Sequence, residues 1–265
     1  MSKSSKNRER REVVEQMRRD AHAAERRRTL TIFAICAGLA AVILVVAGIA
    51  VFNHNKKADE LRNTDLTALG VNESAAGCTS VQEEEGTGTG QHVTTPVTYQ
   101  TTPPAFGPHN PAPDTSGTHF YTADDRPPVE VLVHNLEHGW TIVWYDESIA
   151  GDSGAMDVLK ATAAKFDGHG NDPSYNMIIA PWTSADGGGD PIPDGKHIAF
   201  THWSIHHQTF DPNAWKGHNT SSGDDPIPSF GESVYCGEFS GEALSSFMTK
   251  YPFDDAPEGF LWHQG

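Results

Sequence analysis

Between Leu30 and Phe52 the chain runs for 23 residues without a charge, LTIFAICAGLAAVILVVAGIAVF. A helix rises about 1.5 Å per residue and the hydrocarbon core of a bilayer is roughly 30 Å thick, so the stretch can span with some tilt. It divides the chain into electrically opposite parts. Residues 1–29 carry ten Lys/Arg against five Asp/Glu, whereas residues 53–265 carry nine against thirty, a net of −21. The basic flank places the N-terminus in the cytoplasm and about four fifths of the chain outside the cell membrane. A cleaved signal peptide is the alternative. Against it stand an apolar run longer than the ~7–15 residues of a signal core, a long basic segment, and the lack of a small-x-small site beyond the run. Gly48-Ile49-Ala50 is the nearest such site and lies inside the run, and Lys56, Lys57 and Arg62 only weaken the asymmetry. The reading is a single-pass anchor.

Four regions follow: a basic cytoplasmic segment (1–29), a transmembrane helix (30–52), a stem and linker (53–90), and an extracytoplasmic domain (91–265). Within residues 7–28, Val13, Val14 and Met17 form a narrow apolar stripe, and Glu15 meets Arg18 and Arg19 at helical spacing. Such a helix lies on anionic headgroups or serves as a solvated topology determinant. In the span, Ala34, Gly38 and Ala41 share a face in the small-x-x-x-small manner that permits close helix contact, although small residues are common in any span.

Behind the membrane, Ala58–Leu69 reads as a short helical stem and Glu83–Gly90 as an acidic, glycine-rich link. Residues 92–125 are rich in Pro, Thr, Gly and His and must wrap over other elements. Val129, Val131 and Val133 alternate with Glu130, Leu132 and His134, which predicts a strand. NLEHG then turns the chain into a second strand, Trp140–Tyr145, giving a hairpin. A helix over 152–166 is expected, with Ser153 as N-cap and Met156, Leu159, Ala163 and Phe166 on one face. Strands follow at Tyr175–Trp182 and His197–Trp203, then a long loop at 211–231, and a closing helix at Gly241–Tyr251 stopped by Pro252. The fold class is α+β: a loop-rich domain with a mixed or antiparallel sheet and helices on one face, behind one N-terminal transmembrane helix.

Cys36 sits within the span, leaving Cys78 and Cys236 as the outer cysteines. An oxidising compartment favours their pairing, with two free thiols as the alternative. The histidines behind the span cluster: His134 with His138, His109 with His119, and His202, His206 and His207 in THWSIHH. Imidazole suits zinc, copper and iron. On a helix the i, i+4 pair His134/His138 would share a face; on the turn expected here the two converge only if the loop closes back. The segment is not HExxH, because Glu137 directly precedes His138. A metal ion, if held, has His109, His134 and His138 as ligands, with Glu137 beside them. The competing reading gives these rings structural hydrogen bonds. No GxSxG, GxxxxGK[ST] or GxGxxG occurs, so no catalytic role is expected. An acidic domain without a basic patch excludes nucleic acid as a partner.

Three blocks carry a resemblance. They are His92-Val93-x-x-x-Val97-x-Tyr99, Pro103-Pro104-x-x-Gly107-x-His109-x-Pro111, and Val133-His134-Asn135-Leu136-Glu137-His138-Gly139. With Ile178-Ile179-Ala180-Pro181 and Phe200–Trp203 behind them, they resemble the actinobacterial membrane-anchored family known as domain of unknown function 3105. Ala105-Phe106, where a Ser before the Gly is common, and the Gly/Asp/Pro-rich stretch at 211–231 depart from its pattern. Some members resemble accessory subunits of the respiratory supercomplex of menaquinol–cytochrome c reductase and cytochrome aa3 oxidase. The resemblance thus implies a non-catalytic accessory subunit covering the outer face of that assembly, with respiratory subunits and the lipid bilayer as partners and no cofactor of its own. An extracytoplasmic copper- or zinc-binding protein is the alternative.

Overall fold

One continuous helix, α1 (Lys3–Asn63), runs through the basic segment and the whole apolar stretch. In the computed structural model, residues 3–186, 190–206 and 228–259 are described, and the chain divides into two units, 1–57 and 58–265. Among the described residues α1 is the helix long and apolar enough to cross a membrane. Its large apolar side chains, Leu30 through Phe52, are exposed, as a lipid-facing surface requires. The expected i, i+4 pair forms, with the Arg19 guanidinium donating to the Glu15 carboxylate at 2.8 Å.

The second unit is built on a five-stranded sheet. Its strands are β1 (Gln82–Glu85), β2 (Thr141–Tyr145), β3 (Met177–Pro181), β4 (Ile198–Ser204) and β5 (Phe230–Cys236), in the order β1-β5-β4-β2-β3. Pairing is antiparallel except between β2 and β3. A parallel pair needs a crossover, which α3 (Glu147–Ala150) and α4 (Ser153–Ala163) supply. Strands β2, β3 and β4 are buried along their whole length, so apolar layers cover both faces of the sheet. On one face Val143, Tyr145, Ile179, Phe200 and Cys236 pack with Leu159 of α4 and with Leu244 and Phe247 of α5 (Gly241–Lys250). On the other, Ile142, Trp144, Ile178, Ala199 and Trp203 pack with Leu132, Val133 and Leu136 of α2 (Val129–Glu137). Loop residues Tyr99, Phe106 and Tyr121 complete this second layer. Each large apolar side chain so buried contributes about 1.5–3 kcal/mol.

The α+β class with a mixed sheet holds, and several expectations within it are corrected. Helices cover both faces rather than one. Residues 129–133 are the first turns of α2, not a strand, so there is no hairpin with β2. Val129, Leu132, Val133 and Leu136 recur at i, i+3, i+4 and i+7, and burying that stripe outweighs the short alternation of valines. Helix α4 is capped by Asp152 rather than Ser153, the Asp152 carboxylate accepting from the amides of Gly154 and Ala155. The acidic link contains β1, and the Phe230–Gly231 end of the expected long loop begins β5. The rest of that loop through 227, together with His207, lies outside the described residues. The expected stem is helical only to Asn63, followed by a 3-10 turn at Leu66–Ala68. Cys78 and Cys236 are joined, tying the segment ahead of β1 to the end of β5.

Candidate metal centre

Helix α2 carries the centre. It starts behind Pro128, whose fixed φ and missing N–H suit a helix start. It stops at Gly139, where φ is +84°, a left-handed conformation that glycine adopts without strain. A Cβ at Gly139 would also lie 2.1 Å from the Phe253 carbonyl oxygen, so the close approach of residues 253–259 requires glycine there. Because HNLEH is helical rather than a turn, His134 and His138 do share a face. Their rings stack with centroids 4.7 Å apart, and their Nε2 atoms are 2.9 Å apart.

The other ligating groups come from a loop laid across the helix. His92 and His109 form an isolated parallel bridge: the Val93 amide donates to the His109 carbonyl, and the His109 amide to that of Gln91. This places the His92 ring 5.2 Å from that of His134 and 5.0 Å from that of His109. His109 Nε2 lies 3.0 Å from Glu137 Oε2, and His134 Nε2 lies 4.0 Å from the same oxygen. His92, His109, His134 and Glu137 each present one ligand atom within 4.8 Å of all the others. His109 is fully buried, and His134 and Glu137 are each 4% exposed.

The tautomers follow from the second nitrogens. His109 Nδ1–H donates to the Gly107 carbonyl at 2.9 Å and His134 Nδ1–H to the Asn110 carbonyl at 2.6 Å. A carbonyl only accepts, so in the neutral rings both Nε2 atoms are bare lone pairs aimed inward. His138 hydrogen-bonds the backbone of Glu258, and its Nδ1 is 3.6 Å from that residue's carboxylate. Among the described residues, the buried atoms His92 Nε2, His109 Nε2 and Glu137 Oε2 have no hydrogen-bond partner. Burial lowers the pKa of His92, and of His138 despite the opposing pull of Glu137. Burial, with the neighbouring His109 and His138, takes His134 down to about 4. Close packing completes the pocket, since a Cβ at Gly90 would stand 2.9 Å from Glu137 Oε1.

The structure thus gathers the sequence candidates His109, His134, His138 and Glu137, and adds His92 and Glu258. Nothing in the spacing of His92 marked it, because its approach depends on the bridge to His109. Glu258 reaches the helix only through the Phe253 turn and the bond from its amide to the Glu137 carbonyl. His119 and His202 stay outside. His119 Nδ1 donates to the Met177 carbonyl at 2.6 Å, and His202 is buried between Thr141 and Tyr251. Ala34, Gly38 and Ala41 lie on α1, and a Cβ at Gly38 would meet nothing within 4 Å.

Residues 92–212 match the family described as a protein of unknown function, DUF3105. The resemblance read from the three blocks therefore holds over that segment, which contains all four histidines of the centre. No curated protein and no solved structure matches the chain.

Proposed function

We propose that this chain is a membrane-anchored, extracytoplasmic metal-binding protein whose centre takes copper(II) on His92, His109, His134 and Glu137, with His138 beside them. The observation that carries the reading is the convergence of lone pairs. Two imidazoles whose N–H groups are committed to carbonyls face a buried carboxylate, and burial disfavours putting a proton on the His134 ring. A cation resolves that contact, and nitrogen and carboxylate ligands without thiolate fit zinc or copper(II).

The distances favour copper. With metal–nitrogen bonds of about 2.05 Å, ligand atoms at right angles stand about 2.9 Å apart, opposed ones about 4.1 Å, and tetrahedral ones about 3.4 Å. The pairs His109–Glu137 at 3.0 Å and His134–Glu137 at 4.0 Å match an edge and the diagonal of a tetragonal site. Tetragonal nitrogen and oxygen ligation is copper(II) geometry. The hydrogen bonds on the second nitrogens are those that orient metal-bound histidines.

The test is copper loading of the metal-stripped full chain in mild detergent, read by paramagnetic resonance. One copper per chain with nitrogen hyperfine structure is expected, lost in His109→Ala and His134→Ala. Retention of zinc but not copper would overturn the copper assignment. Failure of the folded protein to hold either metal against a chelator would overturn the reading.

A second, compatible reading is favoured by α1, whose exposed apolar surface includes the open face at Gly38. It makes the chain a non-catalytic accessory subunit, N-terminus inside, of an actinobacterial assembly of menaquinol–cytochrome c reductase and cytochrome aa3 oxidase. Purification through a C-terminal tag should then bring down a-, b- and c-type haem. Gly38→Leu should loosen that association without preventing insertion. A colourless, solitary preparation would refute it.

A further inference from the structure

A second cluster stands on the edge of the sheet, on residues the copper reading does not use. Glu83 of β1 and Glu232 of β5 are directly opposed in the ladder, where like charges are destabilising. Glu232 is completely buried, and its Oε2 has no hydrogen-bond partner among the described residues. Its Oε1 accepts from the Ser204 hydroxyl at 3.1 Å and from His206 Nε2 at 2.8 Å. The same His206 nitrogen lies 3.3 Å from Glu83 Oε2, so one ring nitrogen is shared between two carboxylates. The Tyr251 hydroxyl also interacts with Glu232, which together with burial pushes its pKa up.

The ring that joins the carboxylates is held by strain and stacking. His206 has φ +52°, the one described non-glycine residue with positive φ. That conformation is strained for a side-chain-bearing residue. The imidazole lies flat on Phe230, with centroids 4.1 Å apart and planes within 5°. Even with His206 protonated, two carboxylates and one imidazolium leave a net negative charge around a buried, unpartnered oxygen.

We infer that Glu83, His206 and Glu232 form a second cation site that takes a divalent ion of the zinc class and pins strand β1 to β5. Two carboxylates and one imidazole are ligands for such an ion, and their ligand atoms lie within 4.8 Å of one another. The exposed flanks of Glu83 and His206 give it an entry path from solvent. Among the described residues β1 has four exposed positions and a single partner strand, so it is the element with most to gain from a cross-link.

Equilibrium dialysis of the metal-stripped full chain in detergent against zinc tests this. Because the histidine centre also accepts zinc, two ions per chain are expected. His206→Gly, which relieves the backbone, and Glu83→Gln, at an exposed position, should each lower the count to one. A His109→Ala/His134→Ala double variant should keep the edge ion. Zinc counts unchanged in both edge variants would overturn the edge site. So would a wild-type count of one that is lost only in the histidine double variant, and that result would leave the metal centre standing. A single ion lost in the two edge variants and kept in the histidine double variant would support the edge site and leave the copper centre to its own test.

Discussion

Gly139→Ala probes the joint on which the metal centre depends. Two costs add at this position. Placing a Cβ at φ +84° costs about 1–2 kcal/mol. The same Cβ meets Phe253 backbone at 2.1, 2.8 and 3.0 Å, and forcing that segment away costs a further 1–3 kcal/mol, roughly the price of overpacking a core. The sum is about 2–5 kcal/mol, with a midpoint near 3.5 kcal/mol. For a domain of this size that lowers the melting temperature by about 10 °C. Gly168 supplies the control: its φ is +81°, but a Cβ there meets nothing within 4 Å, so Gly168→Ala should cost only about 1–2 kcal/mol. Thermal unfolding in mild detergent, followed by tryptophan fluorescence, reports on the domain alone because all six tryptophans lie behind the span. Copper affinity should fall in Gly139→Ala and stay unchanged in Gly168→Ala, since only the first shifts Glu258 away from His138. Equal melting temperatures for the two variants would refute the steric half of the reasoning. Unchanged copper affinity in Gly139→Ala would refute its link to the centre.

Free copper at a hundredfold excess over its dissociation constant should stabilise the domain by about 2.7 kcal/mol, and His134→Ala should abolish that gain in the same melting assay. Cys78→Ser, which removes the bond to Cys236, should cost about 2–5 kcal/mol, checked by denaturant unfolding of oxidised protein. Burial holds His202 down at about 4, below its ordinary 6.5. The unfolded chain therefore binds the extra proton, and the stability due to neutral His202 is complete above pH 6.5 and lost towards pH 4. The loss approaches about 3 kcal/mol, and unfolding of metal-free protein should show a flatter pH slope in His202→Asn than in the wild type. Asp152→Ala should cost about 1 kcal/mol as the loss of a helix cap, whereas Ser153→Ala should fall within about 0.5 kcal/mol in chemical denaturation.

The elements legible in the sequence are those whose period and boundaries agree. β2, β3 and β4 are apolar runs covered on both faces, and α4 and α5 have a polar cap, an apolar face and a clear stop. β1 is QEEE, an edge strand without one apolar side chain, and β5 hides its alternation behind Gly231 and Glu232. Gly231 is there for packing rather than for a turn: a Cβ would stand 2.1 Å from Phe106 Cδ1. Residues 129–137 satisfy two periods at once, and only the stop at Gly139 and the apolar layer beneath decide for the helix. The centre was half legible for the same reason. His134 and His138 are local to one helix, whereas His92 and Glu258 arrive through long-range backbone pairing that no spacing records.

That division bears on what the histidines are for. A structural role would be served by rings whose two nitrogens both find partners, as His119 approaches with the Met177 carbonyl and the Trp140 face. In the centre the outer nitrogens of His109 and His134 are served in this way. The inner ones meet one another and a carboxylate, within a largely apolar layer. Burying such groups without compensation costs several kcal/mol, and an apolar side chain on α2 would cost nothing of the kind. The fold nevertheless brings the groups together from α2, the His92–His109 bridge and the 253–259 segment, each fixed by its own backbone hydrogen bonds. Ligands preorganised on α2 and on the His92–His109 bridge, with the 253–259 segment behind them, are what a metal ion needs to bind without reordering the chain, and the ion in turn offsets the burial that assembled them.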